Sequence, residues 1–267
     1  MLHTKKSGSG AVYILYGNEG IKFIKVPLLA QSMAEVKTYQ GKIARIVDET
    51  EHVKTYHFDI SEDMNFKPGQ FVMLSLDVTD ENGVVKPVKR AYSIASAPHE
   101  KELALTIKIY SDGKLSSQLG KYGVSDVLAL SGPYGKFTFE DPKVPVVFIV
   151  GGTGIAPMRS MWKSVLNSGS GTQMQLLYST RHEEEIIYAA ELEALKEKMA
   201  SVVTITRPSE GYSGLTGRID RAFIEKHVQD PKSCMFYICG APGMVRDMKE
   251  TLAALEVDKE QIFHEAW

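Results

Sequence analysis

Cysteine is nearly absent from this chain: Cys234 and Cys239 are the two present, and no Cys-x-x-Cys pair occurs. An iron–sulfur cluster needs four thiolates, or a variant in which histidines replace some of them, so these two cysteines cannot ligate one. The same scarcity argues against a disulfide-framed secreted protein. The seven histidines form no pair at metal-ligand spacing beyond loosely placed surface candidates. Long apolar runs are missing too. The longest, Ala11–Tyr16 and Val144–Val150, fall far short of the ~20 residues a helical membrane span requires. Residues 11–16 are also shorter than a signal-peptide apolar core, so a cytoplasmic location without membrane insertion is expected. Neither sign of charge is in excess, with Lys+Arg 31 against Asp+Glu 33, and no nucleic-acid partner is expected. Internal repeats and low-complexity tracts are likewise missing.

What remains is an ordinary globular composition, 43% hydrophobic and 24% charged, over 267 residues, enough for two domains. Residues 1–36 read as a polar, glycine-rich tail followed by a hairpin, Ala11–Tyr16 and Ile21–Val26, about the turn Gly17–Gly20. From 37 to 141 the chain is strand-rich. Ile43–Ile46, Val53–Phe58, Gln70–Leu76, Val84–Val88, Ala91–Ile94, Leu103–Ile109 and Val127–Leu130 are short β-branched or apolar runs, interrupted by one helical piece at Ser116–Tyr122. About six strands at this spacing predict an antiparallel barrel. After Pro142 the rhythm changes. Strands at Val146–Val150, Met174–Tyr178, Val202–Thr206 and Met235–Ile238 alternate with helices at Met158–Leu166, Glu184–Met199, Arg221–Val228 and Gly243–Leu255. That alternation predicts a parallel α/β domain over 142–267, with the boundary at Asp141-Pro142-Lys143.

Two distant motifs carry the chemistry. Gly151-Gly152-Thr153-Gly154-Ile155-Ala156-Pro157 follows a buried strand directly. Glycines let backbone approach a pyrophosphate, and the following helix offers free N–H groups and its positive dipole end. Pro157 stands where the usual dinucleotide fingerprint has its third glycine, and proline in a first helical turn is tolerated. In the barrel, Arg90-Ala91-Tyr92-Ser93 provides a guanidinium fork for phosphate, an aromatic face and a small hydroxyl, a set suited to a flavin. Thr106, Ile107 and Lys108 on the following strand, and Gly113-Lys114-Leu115-Ser116-Ser117 opening the short helix, are the further flavin-binding candidates. A second phosphate site at Ser116 favours FAD over FMN.

The ends of the later strands supply the rest. Ser179 and Arg181 end the second α/β strand, with Arg207 and Arg218 beyond the third, and cations there favour the 2′-phosphate of NADPH over NADH. The alternative is a set of solvated arginines, with Glu183–Glu185 neutralising Arg181. Cys239, Gly240, Pro242 and Met244 close the fourth strand, where Cys239 is read either as a nicotinamide-lining thiol or as a small apolar residue. The chain ends on Glu265-Ala266-Trp267. Trp267 is read as a cover for the flavin ring or as a docked terminal aromatic, and Glu265 as a proton relay or a solvated charge.

Together, Arg90-Ala91-Tyr92-Ser93, Gly113-x-x-Ser116, Gly151–Pro157, Cys239-Gly240-x-x-x-Met244 and Glu265-x-Trp267 resemble the ferredoxin–NADP reductase superfamily, in order, over roughly residues 38 to 267. The resemblance implies a flavin-binding barrel followed by a Rossmann-like nucleotide domain. It puts Arg90 and Ser116 on the FAD diphosphate, Tyr92 and Ser93 at the isoalloxazine, and Cys239 beside the nicotinamide. Oxygenase reductases of this superfamily often carry a fused iron–sulfur domain, which two cysteines do not allow here, and the 11–26 hairpin has no recognised counterpart. The expected function is therefore an FAD-dependent NAD(P)H oxidoreductase exchanging electrons with a separate carrier such as ferredoxin or flavodoxin, with Ser93, Cys239, Glu265 and Trp267 as catalytic candidates. The alternatives are a flavin or ferric reductase, and an electron-transfer or nucleotide-sensing component of a larger complex.

Overall fold

A computed structural model describes residues 37–79 and 82–266. The expected hairpin at 11–26 and the terminal Trp267 lie outside the described residues. From Thr38 onward the chain belongs to one compact unit.

Six antiparallel strands come first: β1 (Thr38–Thr50), β2 (Val53–Ile60), β3 (Phe71–Thr79), β4 (Val85–Ser93), β5 (Leu103–Lys108) and β6 (Val127–Tyr134). They pair in the order β4-β3-β6-β1-β2-β5. The two edges meet where Ile94 bridges Leu105 and the Ala95 amide donates to the Ala104 carbonyl at 2.8 Å, which curls the sheet into a barrel. Period-two alternation decides which side chains face in. On β3, Val72, Leu74 and Leu76 are buried between more exposed neighbours. They pack with Ile43, Phe58, Leu105 and Leu130 in the barrel core. Helix α1 (Ser116–Leu119) inserts Leu115 and Leu119 into that core.

The expected strands 84–88 and 91–94 are a single strand. β4 pairs with β3 continuously from Thr79↔Val85 to Phe71↔Ser93, so the charged Lys89-Arg90 pair does not interrupt it. An exposed edge strand tolerates that polarity because one side of its ladder is open to water.

The second half is a parallel sheet of β7 (Val146–Gly151), β8 (Met174–Thr180), β9 (Ala200–Ile205), β10 (Met235–Gly240) and β11 (Ile262–Ala266), ordered β11-β10-β7-β8-β9. β11 is not expected from the sequence, because Phe263-His264-Glu265 has no apolar run. It is an edge strand, held by parallel pairing of Phe236–Gly240 with Ile262–Ala266. Helices α2 (Ile155–Ser168) and α3 (Ala189–Ala194) cover one face, and α4 (Arg221–His227) and α5 (Pro242–Ala254) the other. Local chemistry sets several ends. Gly169 closes α2 in the left-handed conformation at φ +63°. The Asp220 carboxylate caps α4 by accepting from the Phe223 amide at 2.8 Å. Pro242 opens α5 at a position where no N–H is needed.

The helix expected over Glu184–Met199 is much shorter. A 3-10 turn at Glu183–Glu185 leads into extended Ile186, and Tyr188 stands at φ +60° before α3 begins. Burial of Ile187 and Tyr188 outweighs the helical propensity of the surrounding glutamates and alanines.

Candidate active site

The parallel sheet reverses its strand order between β7 and β10, and the open end of such a sheet at that switch point is where ligands sit. The loops leaving those two strands are the glycine turn 151–154 and Gly240–Ala241. They approach each other so closely that a Cβ on Gly154 would lie 2.7 Å from the Cys239 carbonyl carbon and 3.1 Å from the Gly240 nitrogen. Gly154 is thus required by space. Gly152 is required by conformation, at φ +53°, and faces open space where a ligand can approach the backbone.

A cavity of about 520 Å³ lies against this turn. Its barrel wall is the end of β4, Arg90-Ala91-Tyr92-Ser93, together with Thr106 and Lys108 of β5. Gly113, Lys114, Leu115 and Ser116 form its floor, and Thr153 and Ala156 bring the glycine turn and α2 to its rim. Glu265 arrives from the far edge, because parallel pairing sets it opposite Cys239 at the C-terminal end of the sheet. Phe71, Tyr110 and Ala266 complete the lining, and Phe71 and Tyr110 belong to no motif read from the sequence. Phe71 and Ser93 are direct cross-strand partners, so the strand register brings Phe71 here, and no sequence motif marks it.

The lining separates by charge. Arg90, Lys108 and Lys114 are cationic, a donor set matching a diphosphate. Arg90 Nη1 donates to the Lys89 carbonyl at 2.8 Å, which orients the guanidinium. Lys108 Nζ stands 3.8 Å from Glu185 and 5.8 Å over the Tyr110 ring. Ser116 is buried, and its Oγ accepts from the Tyr110 amide at 3.2 Å, leaving its own proton available. Gly113 keeps that arrangement possible, because a Cβ there would collide with Ser116 Oγ. Ser117 turns away, donating to the Gly113 carbonyl at 2.5 Å. Burial pushes the Tyr92 phenol up to about 12, so it stays a donor at neutral pH. Burial likewise raises the Glu265 carboxyl, with Ser93 acting against it as a hydrogen-bond partner.

Other expected site residues sit elsewhere. Ile107 points into the barrel core and is fully buried. Cys239 is also fully buried, packed among the aromatic side chains under α2. Its backbone borders the glycine turn, whereas its thiol is not part of the cavity lining. Met244 packs its sulfur against Gly151 and Gly240, while Ile155 and Pro157 are buried in the first turn of α2. Gly240 ends β10 and Pro242 starts α5.

Ser179, Arg181, Arg207 and Arg218 form a separate group about the ends of β8 and β9. The Arg207 amide donates to the Arg181 carbonyl at 2.8 Å, and the amide of Gly217, next to Arg218, donates to the Ile205 carbonyl at 2.9 Å. All three arginines are exposed. Beside them, Glu183 Oε1 accepts from the Ser209 amide at 3.1 Å and hydroxyl at 2.7 Å, which holds that carboxyl below its usual range. Glu183 Oε2 is buried and has no hydrogen-bond partner among the described residues.

The cavity with its cationic wall fits a flavin diphosphate, and the open approach to the backbone at Gly152 fits a dinucleotide. When bound, such a pair supplies hydride exchange between nicotinamide C4 and flavin N5. The end of β4 and the glycine turn border the cavity from the two halves, with hydrogen-bonding groups at Ser93 and Glu265 between them. Among the described residues no cluster of metal-ligating side chains occurs, and no helix is long and apolar enough to cross a membrane.

Comparison with known proteins agrees with this arrangement. The oxidoreductase FAD-binding domain family matches residues 40–139, and the oxidoreductase NAD-binding domain family matches 148–250. The Na(+)-translocating NADH-quinone reductase of Idiomarina loihiensis contains a component that is 30% identical over 85% of this chain and 60% of its own length. The reductase component of propane 2-monooxygenase from Mycolicibacterium goodii is 31% identical over 76% of this chain and 59% of its own. The chain thus spans about three-fifths of the length of these relatives. Among solved structures, a Neisseria gonorrhoeae ferredoxin–NADP+ reductase with bound FAD and NADP superposes with TM-score 0.73 at 26% identity, over 87% of this chain and 99% of that one. The cytochrome b5 reductase domain of Ulva prolifera nitrate reductase shares the fold at TM-score 0.77 and 24% identity, over 86% and 97%. With a flavin-binding barrel, a nicotinamide-binding α/β half and the cavity that joins them, this chain belongs to the ferredoxin–NADP reductase superfamily of flavin-dependent NAD(P)H oxidoreductases.

Proposed function

We propose that the chain moves electrons between a nicotinamide and a separate one-electron carrier of the ferredoxin or flavodoxin kind, with FAD as the intermediary. The observation that supports this most is the cavity itself, in which the β4 wall, the glycine turn and Glu265 converge. In this reading Arg90, Lys114 and Ser116 bind the diphosphate of FAD. Tyr92 and Ser93 position the isoalloxazine, and Glu265 holds a proton beside Ser93. Cys239 acts through its backbone at the nicotinamide end, and Trp267 covers the flavin. Two buried cysteines without a disulfide suit a reducing compartment such as the cytoplasm.

Two features pull the choice of nicotinamide in opposite directions. Exposed Arg181, Arg207 and Arg218 support NADPH. Glu183 supports NADH, since a carboxylate just beyond the end of β8 repels a 2′-phosphate. The relatives include a component of an NADH-quinone reductase, which keeps a role inside a larger complex as the second reading.

The test is anaerobic mixing of the FAD-loaded protein with NADPH or NADH, followed by a supplied ferredoxin, flavodoxin, free flavin or ferric chelate. Faster bleaching by NADPH assigns the arginines to the 2′-phosphate, and faster bleaching by NADH assigns Glu183. Reoxidation by ferric chelate or free flavin with no response to either protein carrier would refute the carrier reading.

A further inference from the structure

Outside the cavity, the most heavily engaged buried charge is Arg159, on α2 one turn beyond the glycine loop. It is 8% exposed. Its guanidinium joins the two halves of the molecule. Nη1 donates to the Ala95 carbonyl at 2.9 Å and to Glu100 Oε2 at 3.1 Å, while Nη2 reaches Glu100 Oε1 at 3.4 Å. Both acceptors belong to the segment between β4 and β5, and Ala95 stands two residues after Ser93. On the other side Nε donates to Glu191 of α3 at 2.9 Å, and the guanidinium lies 5.5 Å from the Tyr188 ring centroid. Glu191 is itself fixed by Trp162 Nε1 at 3.1 Å, and Glu100 by the Ala97 amide at 2.7 Å.

Three further hydrogen bonds cross between the halves nearby. Ser160 Oγ donates to the Ser96 carbonyl at 2.7 Å, the Tyr188 amide donates to Glu49 at 3.2 Å, and the Tyr188 hydroxyl bonds Thr106, which lines the cavity. The first turn of α2 therefore has one end at the cavity rim, at Ala156, and the other pinned to the segment that follows the flavin wall.

We propose that Arg159 is a positioning residue for hydride transfer: it sets the separation between the nicotinamide end of α2 and the flavin wall of β4. The argument rests on the assignment of those two elements to the two cofactors. A guanidinium suits the task because its planar fork satisfies three acceptors in fixed directions, which a lysine ammonium cannot reproduce. Its removal takes away the bonds that tie Ala95 and Glu100 of the barrel to α2 and to Glu191 of α3, and leaves Lys163, 3.8 Å from Glu191, as the nearby cation. The separation of the halves is then no longer fixed at this point, although neither carboxylate touches the cavity. Hydride transfer is steeply sensitive to that separation, since a displacement of ~1 Å can cost ~100-fold in rate.

The experiment compares wild type, Arg159→Ala, Arg159→Lys and Glu100→Gln. The limiting rate of flavin reduction and the nicotinamide Kd are read by stopped flow, with a deuterated nicotinamide as a control for the chemical step. Arg159→Ala is expected to lower the limiting rate ~100-fold with an enlarged isotope effect, and to leave the nicotinamide and FAD Kd values within ~3-fold. Arg159→Lys recovers part of the rate. Amide hydrogen exchange on the cofactor-free protein is the second readout, with faster exchange expected at 95–100 and 152–160 while β7 and β10 stay protected. An unchanged limiting rate in a folded Arg159→Ala protein, or unchanged exchange, overturns the proposal. If Arg159→Ala does not fold, Glu100→Gln decides: a fall of ~10-fold supports the pin and a wild-type rate refutes it. Failure of the wild-type chain to take up FAD would refute the cofactor assignment instead, and hydrogen exchange would still judge the pin.

Discussion

Gly154→Ala isolates the junction of the two nucleotide loops. The glycine has ordinary helical backbone angles, φ −57° and ψ −11°, so the substitution introduces no torsional strain. Its whole effect is steric. The new Cβ would sit 2.7 Å from the Cys239 carbonyl carbon, nearer still to its oxygen, and 3.1 Å from the Gly240 nitrogen. Backbone cannot rotate away as a side chain end can, so the start of α2 and the end of β10 must part by roughly 1 Å to reach ordinary contact. A displacement of that size at a reacting centre costs ~100-fold in rate. The barrel cradle is untouched, so FAD binding is preserved. The assay is anaerobic flavin reduction by a saturating nicotinamide, alongside FAD affinity from fluorescence quenching. A Gly154→Ala protein with wild-type reduction rate would refute the close-approach argument, and one that loses FAD would refute the separation of the two cradles. Gly152→Ala is the internal control: it meets open space but must hold φ +53°, so it costs about 1 kcal/mol of stability with a smaller kinetic effect.

Three further outcomes follow from the same geometry. Gly113→Ala displaces Ser116 Oγ from the Tyr110 amide, and FAD affinity should fall about 10-fold, one hydrogen bond's worth, in a titration of apoprotein. His57 is held down to about 4 by burial and by the Arg45 guanidinium, whose Nη2 lies 2.8 Å from Nδ1. The unfolded chain takes up that proton near the ordinary value of 6.5 and the native protein does not. Stability is therefore lost as pH falls from 6.5 toward 4, and between pH 7 and pH 5 urea denaturation should show wild type losing about 2 kcal/mol more than His57→Gln. Glu265 behaves oppositely, because burial raises its carboxyl. Ionising it costs the native state as pH rises through that raised value, so Glu265→Gln should gain stability over wild type at pH 8 and match it at pH 4. An equal urea midpoint at pH 8 would show that the carboxyl is solvated.

The sequence by itself determined both halves of the fold and their order, because period-two and helical patterning are local and survive without knowledge of partners. It also marked two segments that meet at the cavity. Glycine at 152 and 154 answers a backbone requirement, and Arg90, Tyr92 and Ser93 fall within four residues of one strand. What tertiary structure alone decided is whatever depends on register and on elements meeting from afar. Phe71 enters the cavity because β3 pairs with β4, and Glu265 because an unpromising polar strand adds to the sheet edge beside β10. Tyr188 breaks an apparent helix because burying its ring outweighs local propensity. The same holds for Cys239, whose thiol is turned into the core while its peptide borders the glycine turn. Arg159 is the clearest case. It lies among Met158, Met161 and Trp162 on an apolar helix face, and its partners Ala95, Glu100 and Glu191 are separated from it by up to 64 residues of chain. Charge pairing at such separation is set by how two domains pack, and only their packing reveals it.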